Sequence, residues 1–183
     1  MLQHGGFFYV LYVKDETYED PMDMERIYDE HAVRLYNMSL RILGDSCEAE
    51  EVMHDSLLQY HGMKDRSGIV DLRKWLSSVC IRKSIDRLRD KSRWDEFLKG
   101  YEDPALEESA ADDGEYNTGQ ILKALASLPD HYRAVLSLHL FEGFDYQEIA
   151  QITGAKESSI RSLYMRGRKL LAQAVKKAGY ERN

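Results

Sequence analysis

The chain has 183 residues, of which 43% are hydrophobic and 31% charged, with a formal net charge of −7. That length buries one ordinary core or two small ones, and the acidic balance argues against a plain, uniformly basic DNA-binding protein. Two isolated cysteines, Cys47 and Cys80, make neither a disulfide framework nor a zinc site. They suit a reducing cytoplasm, and no apolar run reaches membrane-spanning length, so a cytoplasmic protein without membrane insertion is expected.

The charge is unevenly spread. Residues 64–93 and 156–183 each carry +6, while residues 1–63 carry −9 and residues 94–119 carry −8. Two cationic islands in an acidic chain can each bind phosphate locally, while the remainder weakens non-specific binding.

Residues 1–22 stand apart as an extension of unassigned role. Within it Phe7 to Val13 is aromatic and β-branched, which suits a strand or an extended arm. The run GGFFYVLYV is short and lacks a basic leader, so it is a poor signal peptide. From Asp23 the period becomes helical. Met24, Ile27, Tyr28, His31, Leu35, Met38 and Ile42 form one apolar stripe that Gly44 ends. Asp45 with Glu48 offers a capping box for a second helix, which turns Ala49, Val52, Met53, Leu57 and Tyr60 inward and stops near Gly62. Its other side carries Glu48, Glu50, Glu51 and Asp55, either a solvated face or a docking surface for a basic partner.

A third helix is expected from about Asp71. Leu72, Trp75, Leu76 and Val79 form one stripe, and Ile81, Ile85 and Leu88 a second, rotated one. Such a helix is gripped on more than one side. Arg73, Lys74, Arg82, Lys83, Arg87, Arg89, Lys91 and Arg93 crowd the same segment, with Trp75 inside it and Trp94 just after. Cations with aromatics suit single-stranded nucleic acid, although Trp75 among aliphatic neighbours reads as core. Residues 94–119 hold nine acidic residues, Pro104, three glycines and little periodicity. This is the composition of a flexible linker, dividing helical domains at 23–93 and 120–183. Nothing after Val13 reads as strand, so the class is all-α.

In the second domain Ile121, Leu122, Leu125 and Leu128 begin a helix that Pro129 interrupts or restarts. Tyr132, Val135, Leu136, Leu138 and Leu140 continue the apolar pattern as far as Gly143. Asp145 with Glu148 makes another capping box, before a short helix from Tyr146 to Thr153. Ala150 is small enough for a close crossing, Gly154 supplies a positive-φ turn, and Ile160 and Leu163 pin the next helix to the core. This is a helix-turn-helix pattern. On the last helix, taken as residues 157–172, Arg161, Arg166 and Arg168 point away from the core side, and Ser158, Ser159 and Ser162 are short donors near its start. These residue types at the head of such a helix meet bases and phosphates.

No enzyme chemistry is visible. Glu51 and His54 make a single Glu-x-x-His pair, without the second pair and further glutamates a di-iron bundle needs. His54 and His61 alone do not make a site. No glycine-rich phosphate loop, nucleophile elbow or His-Glu-x-x-His occurs. No catalytic residue, metal or cofactor is expected.

Over residues 23–175 the chain resembles the extracytoplasmic-function sigma factors, the two-domain initiation subunits of bacterial RNA polymerase. The resemblance rests on Leu128-Pro129, Arg133, Val135 to Leu138, Glu142-Gly143, Tyr146 and Glu148-Ile149-Ala150, and in the first domain on EAEEVMHDSLLQY with Trp75, Leu76, Ile85, Asp86, Leu88 and Arg89. It implies that Glu50, Glu51, Asp55 and Leu58 dock the core polymerase. It implies that Arg73, Lys74, Arg82, Lys83, Asp86, Arg87, Arg89 and Lys91 engage an opened minus-ten element, and that helix 157–172 reads the minus-thirty-five element. It further implies a linker that threads toward the polymerase cleft, and an anti-sigma partner. Arg82 stands where the family often has Asn, Lys156 where it has a capping Ser, and Leu163 where an Arg is common, which points to a promoter preference of its own. The alternative is an autonomous helix-turn-helix regulator with a dimerisation or sensor domain. A sensor, however, has no need of eight basic residues between Arg73 and Arg93.

Overall fold

The computed structural model describes residues 21–91 and 118–180. The expected strand or arm at Phe7 to Val13, and the 94–119 linker as far as residue 117, lie outside the described residues.

Helix α1 spans Pro21–Leu43. Met24, Ile27, His31, Leu35, Met38 and Ile42 are buried along it, as the spacing predicts, whereas Tyr28 is only partly covered. Gly44, at φ +74°, turns the chain out of the helix. Asp45 accepts from the Glu48 amide at 3.0 Å, starting α2, Ser46–His61. Arg66 satisfies the open carbonyls at the other end of α2, donating to Tyr60 O at 3.1 Å and His61 O at 2.8 Å. Helix α3, Leu72–Lys91, begins at Asp71, which accepts from the Lys74 amide at 3.0 Å. The two rotated stripes of α3 are both used. Leu76, Cys80, Ile81, Ile85 and Leu88 are all buried, because α1 and α2 both pack on it. Buried Ser39, Ser56 and Ser84 let the three helices approach closely, and each hydroxyl donates to a carbonyl one turn back on its own helix. Trp75 meets the Tyr60 ring edge-on at 5.9 Å and packs, partly buried, on the core.

The second unit comprises α4 (Thr118–Ala126), α5 (Asp130–Leu140), α6 (Tyr146–Thr153) and α7 (Glu157–Tyr180). Pro129 occupies the cap before α5, one position ahead of the first turn. The Asp145–Glu148 capping box forms with both bonds at 2.8 Å. Gly143 and Gly154 supply the positive-φ exits, at +77° and +68°. The last helix runs eight residues past the expected end at 172, to Tyr180. The extension is held because Leu171 and Val175 are buried where α7 packs on α4. A Cβ at Gly167 would lie 3.2 Å from Leu136, so this glycine sets how closely α5 and α7 pack.

The two helical units meet. Helix α1 packs against α4 and α5, and α3 against α6, and the buried apolar cluster is continuous from Met24 to Val175.

Candidate nucleic-acid and polymerase interface

Helix α3 is twenty residues long, about 30 Å at 1.5 Å per residue, so its cations cannot form one site. Arg73 and Lys74 are exposed in the first turn, where Lys74 lies 3.9 Å from Asp71. Arg34 of α1 steadies this end by donating to Arg73 O at 2.9 Å and Ser77 Oγ at 2.7 Å. Toward the other end Arg82, Asp86 and Arg89 follow one another at helical spacing, with Arg82 and Asp86 exposed and Arg89 half-buried. Lys83 is half-buried beside them, and Lys91 is the last residue of α3. The Arg82–Asp86–Arg89 face does not look into open solvent alone. With Gln151 and Ile152 of α6 it lines a cleft of about 290 Å³.

Arg87 is engaged within the fold. Its guanidinium faces α2, 2.6 Å from Glu51 and 3.5 Å from Asp55. The hydrogen bond it donates to Glu51 holds it above the usual arginine pKa. The residue read as a DNA contact is therefore an ion-pair partner of two residues read as the docking face. Glu50, Glu51 and Leu58 are exposed and Asp55 is half-buried. Glu51, Asp55 and Leu58 share a face at helical spacing, so the acidic surface on α2 is real and carries an apolar residue at its edge.

On α7 the exposed candidates are Ser158, Arg161 and Arg168, with Arg166 half-buried. Ser159 and Ser162 are buried at 8% and 5% relative exposure, alongside Ile160 and Leu163. They face inward, because the core stripe of this helix is two residues wide. In this arrangement they are packing residues and not part of the outer face. Arg161 is pre-positioned by Glu157 at 2.9 Å and by the Tyr146 ring, whose centre is 5.1 Å from the guanidinium carbon. Tyr146, His139 and Tyr164 form a ring cluster with centroids 4.6–5.4 Å apart. His139 Nδ1 lies 2.7 Å from Phe144 O, which fixes the turn before α6. The platform that Tyr146 provides for Arg161 had no signature in the sequence, where Tyr146 was legible only as a motif position.

Among the described residues no three side chains of metal-ligating type come together, and no helix is long and apolar enough to cross a membrane.

The geometry sets an acidic helix face, a basic helix and a helix-turn-helix on one chain, in that order. Models of known families match the same segments: Sigma-70 region 2 over residues 27–93 and Sigma-70, region 4 over residues 118–171. The ECF RNA polymerase sigma factor SigL of Mycobacterium tuberculosis is 30% identical over 145 residues, covering 76% of this chain and 81% of that protein. The chain belongs to the ECF RNA polymerase sigma factors. SigE of Mycolicibacterium smegmatis is another related sigma factor, 27% identical over 86% of this chain and 63% of that protein. Among solved structures, the sigma factor RpoE of Bartonella quintana, crystallised with the anti-sigma factor NepR, shares the fold. Its TM-score is 0.54 at 21% identity, covering 84% of this chain and 97% of that one. Region 2 of this sigma factor thus comprises α1–α3, and region 4 comprises α4–α7. Its function is that of a sigma factor in transcription initiation, with RNA polymerase and promoter DNA as partners.

Proposed function

We propose that the sigma factor divides its work among three helices. The acidic face of α2, with Glu50, Glu51, Asp55 and Leu58, docks the core polymerase. Arg73, Lys74, Arg82, Lys83, Asp86, Arg89 and Lys91 of α3 engage the minus-ten element as it opens, where unpaired bases and backbone meet cations. Ser158, Arg161, Arg166 and Arg168 of α7 enter the major groove at the minus-thirty-five element. Residues 23–93 and 120–183 are the two working domains, with 94–119 connecting them and 1–22 an extension of unassigned role. The protein carries no catalytic chemistry of its own, acts in the cytoplasm, and is held in check by an anti-sigma factor of the kind bound to the Bartonella protein.

The observation that carries this reading is the separation of charge. Acidic residues face out on α2, and cationic residues are exposed along α3 and α7. Run-off transcription from a genomic promoter library, with purified core enzyme and this chain, is the direct test. Discrete start sites preceded by two common elements are expected, and Arg161→Ala should relax the upstream element only. Specific operator binding of full strength by the chain without core would favour an autonomous regulator instead.

A further inference from the structure

The guanidinium of Arg161 is open to solvent without being loose. Its side chain is 61% exposed on the outer face of α7. Glu157, one turn earlier, accepts from Arg161 Nη2 at 2.9 Å. The Tyr146 ring of α6 lies beneath the guanidinium, its centroid 5.1 Å from the central carbon. That ring is itself held from two further helices. His139 of α5 stacks on it at 4.8 Å with 23° between the planes, and Tyr164 of α7 leans on it at 5.4 Å. Tyr164 also meets His139 edge-on at 4.6 Å, and His139 Nδ1 lies 2.7 Å from Phe144 O. The ring is therefore fixed, and Arg161 takes its orientation from it. The two contacts act differently on the arginine. Stacking sets the plane of the guanidinium and leaves its edge donors available. The carboxylate takes one of those donors and offsets the charge that a phosphate would attract.

We propose that Tyr146 and Glu157 are positioning residues that make Arg161 a reader of base edges and keep it off the phosphate backbone. The proposal rests on the placement of α7 in the major groove at the minus-thirty-five element. An arginine without a brace can swing to whichever phosphate is nearest, and phosphate contacts add affinity without sequence information. A guanidinium of fixed plane instead presents parallel donors, the geometry that matches paired acceptors on a base edge such as that of guanine. Glu157 adds a repulsive element. A carboxylate at the head of α7 disfavours any phosphate brought close to it, so the helix seats well only where Arg161 gains a base contact in return.

The test uses holoenzyme, assembled from core polymerase and the full chain, binding promoter duplexes whose upstream element is matched or randomised. Arg161→Ala locates the base position that Arg161 reads, where discrimination should fall roughly five- to 150-fold. Tyr146→Leu should lower discrimination at that same position about two- to fivefold, whereas Tyr146→Phe, which keeps the ring, should retain it. Glu157→Gln should raise affinity for mismatched duplexes about two- to fivefold and steepen the salt dependence of binding by about one counterion. A packing role alone does not move that slope. In an Arg161→Ala background the effects of Tyr146→Leu and Glu157→Gln should both vanish. A loss from Tyr146→Leu that persists undiminished in that background overturns the role of the ring. Glu157→Gln alters only a surface side chain, so it decides the matter even where Tyr146→Leu loosens the aromatic cluster, and an unchanged salt slope overturns the role of the carboxylate. If Arg161→Ala alters no base preference, the seating of α7 on the upstream element fails, and the proposal with it.

Discussion

Replacing Gly44 with alanine tests the packing of the two regions most directly. Two costs add at this position. A side chain at φ +74° is strained by about 1–2 kcal/mol. The new Cβ would also lie 2.7 Å from Arg133 Cζ and 3.0 Å from both Nε and Nη2, so the guanidinium must retreat. It is not a loose end, being tied to Ile42 O, Leu43 O, Leu128 O and Asp130. Retreat sacrifices at least one charge-assisted bond, about 1.5–3 kcal/mol, giving a total of about 2.5–5 kcal/mol. Gly143 is the internal reference: its φ is +77°, and nothing lies within 4 Å of a Cβ there. Gly143→Ala should therefore cost only the backbone component, about 1–2 kcal/mol. Urea titration followed by far-UV circular dichroism reads both variants, and equal m-values would permit the midpoints to be compared. In an Arg133→Gln background the excess cost of Gly44→Ala should vanish. Equal destabilisation by Gly44→Ala and Gly143→Ala would refute the inserted guanidinium.

Other outcomes follow from the same geometry. Arg161→Ala should weaken the minus-thirty-five contribution by about 1–3 kcal/mol if the side chain reaches a base, read from holoenzyme binding to matched and mutated upstream elements. Ser162→Ala, facing inward, should leave element preference unchanged, and a shift in preference would return Ser162 to the DNA face. Charge reversal at Glu51 and Asp55 should reduce co-purification with core polymerase while the helical spectrum persists; undiminished association removes α2 as the docking face. Burial holds His131 down at about 4 and also lowers His31 and His54. The unfolded chain takes up these protons first, so stability should fall as pH drops from about 6.5 toward 4. His131 would contribute up to about 2 kcal/mol of that loss after allowance for its partial exposure, and His131→Asn should flatten the slope. Burial also raises the Cys80 thiol to about 11, so a thiol reagent should modify Cys47 quickly in the native protein and Cys80 only after urea is added.

The helices were legible because their signals are local. The stripe from Met24 to Ile42, the Asp145–Glu148 box and the Gly154 turn each act within a few residues, so the pattern alone placed α1, α6 and the head of α7. The acidic face of α2 and the basic face of α3 were legible for the same reason, since residue type and helical period settle which side of a helix is polar. What the pattern could not resolve was partnership. Arg87 looked like the other cations of α3, and only the packing of α2 beside it made it the partner of Glu51 and Asp55. Ser159 and Ser162 looked like donors, and only the width of the buried stripe on α7 turned them inward.

The order and type of the elements, the all-helical class and the sigma-factor motifs were determined by the sequence itself, because propensity, capping and periodicity act over a turn or two of chain. Tertiary structure alone decided that Arg133 caps a helix ninety residues earlier in the chain, that Arg89 meets the end of α6, and that the two regions share one continuous core. The acceptors in these contacts are backbone carbonyls, which every residue carries, so no side-chain pattern could announce them. They become specific acceptors only when a helix end is brought, in three dimensions, within reach of a buried cation.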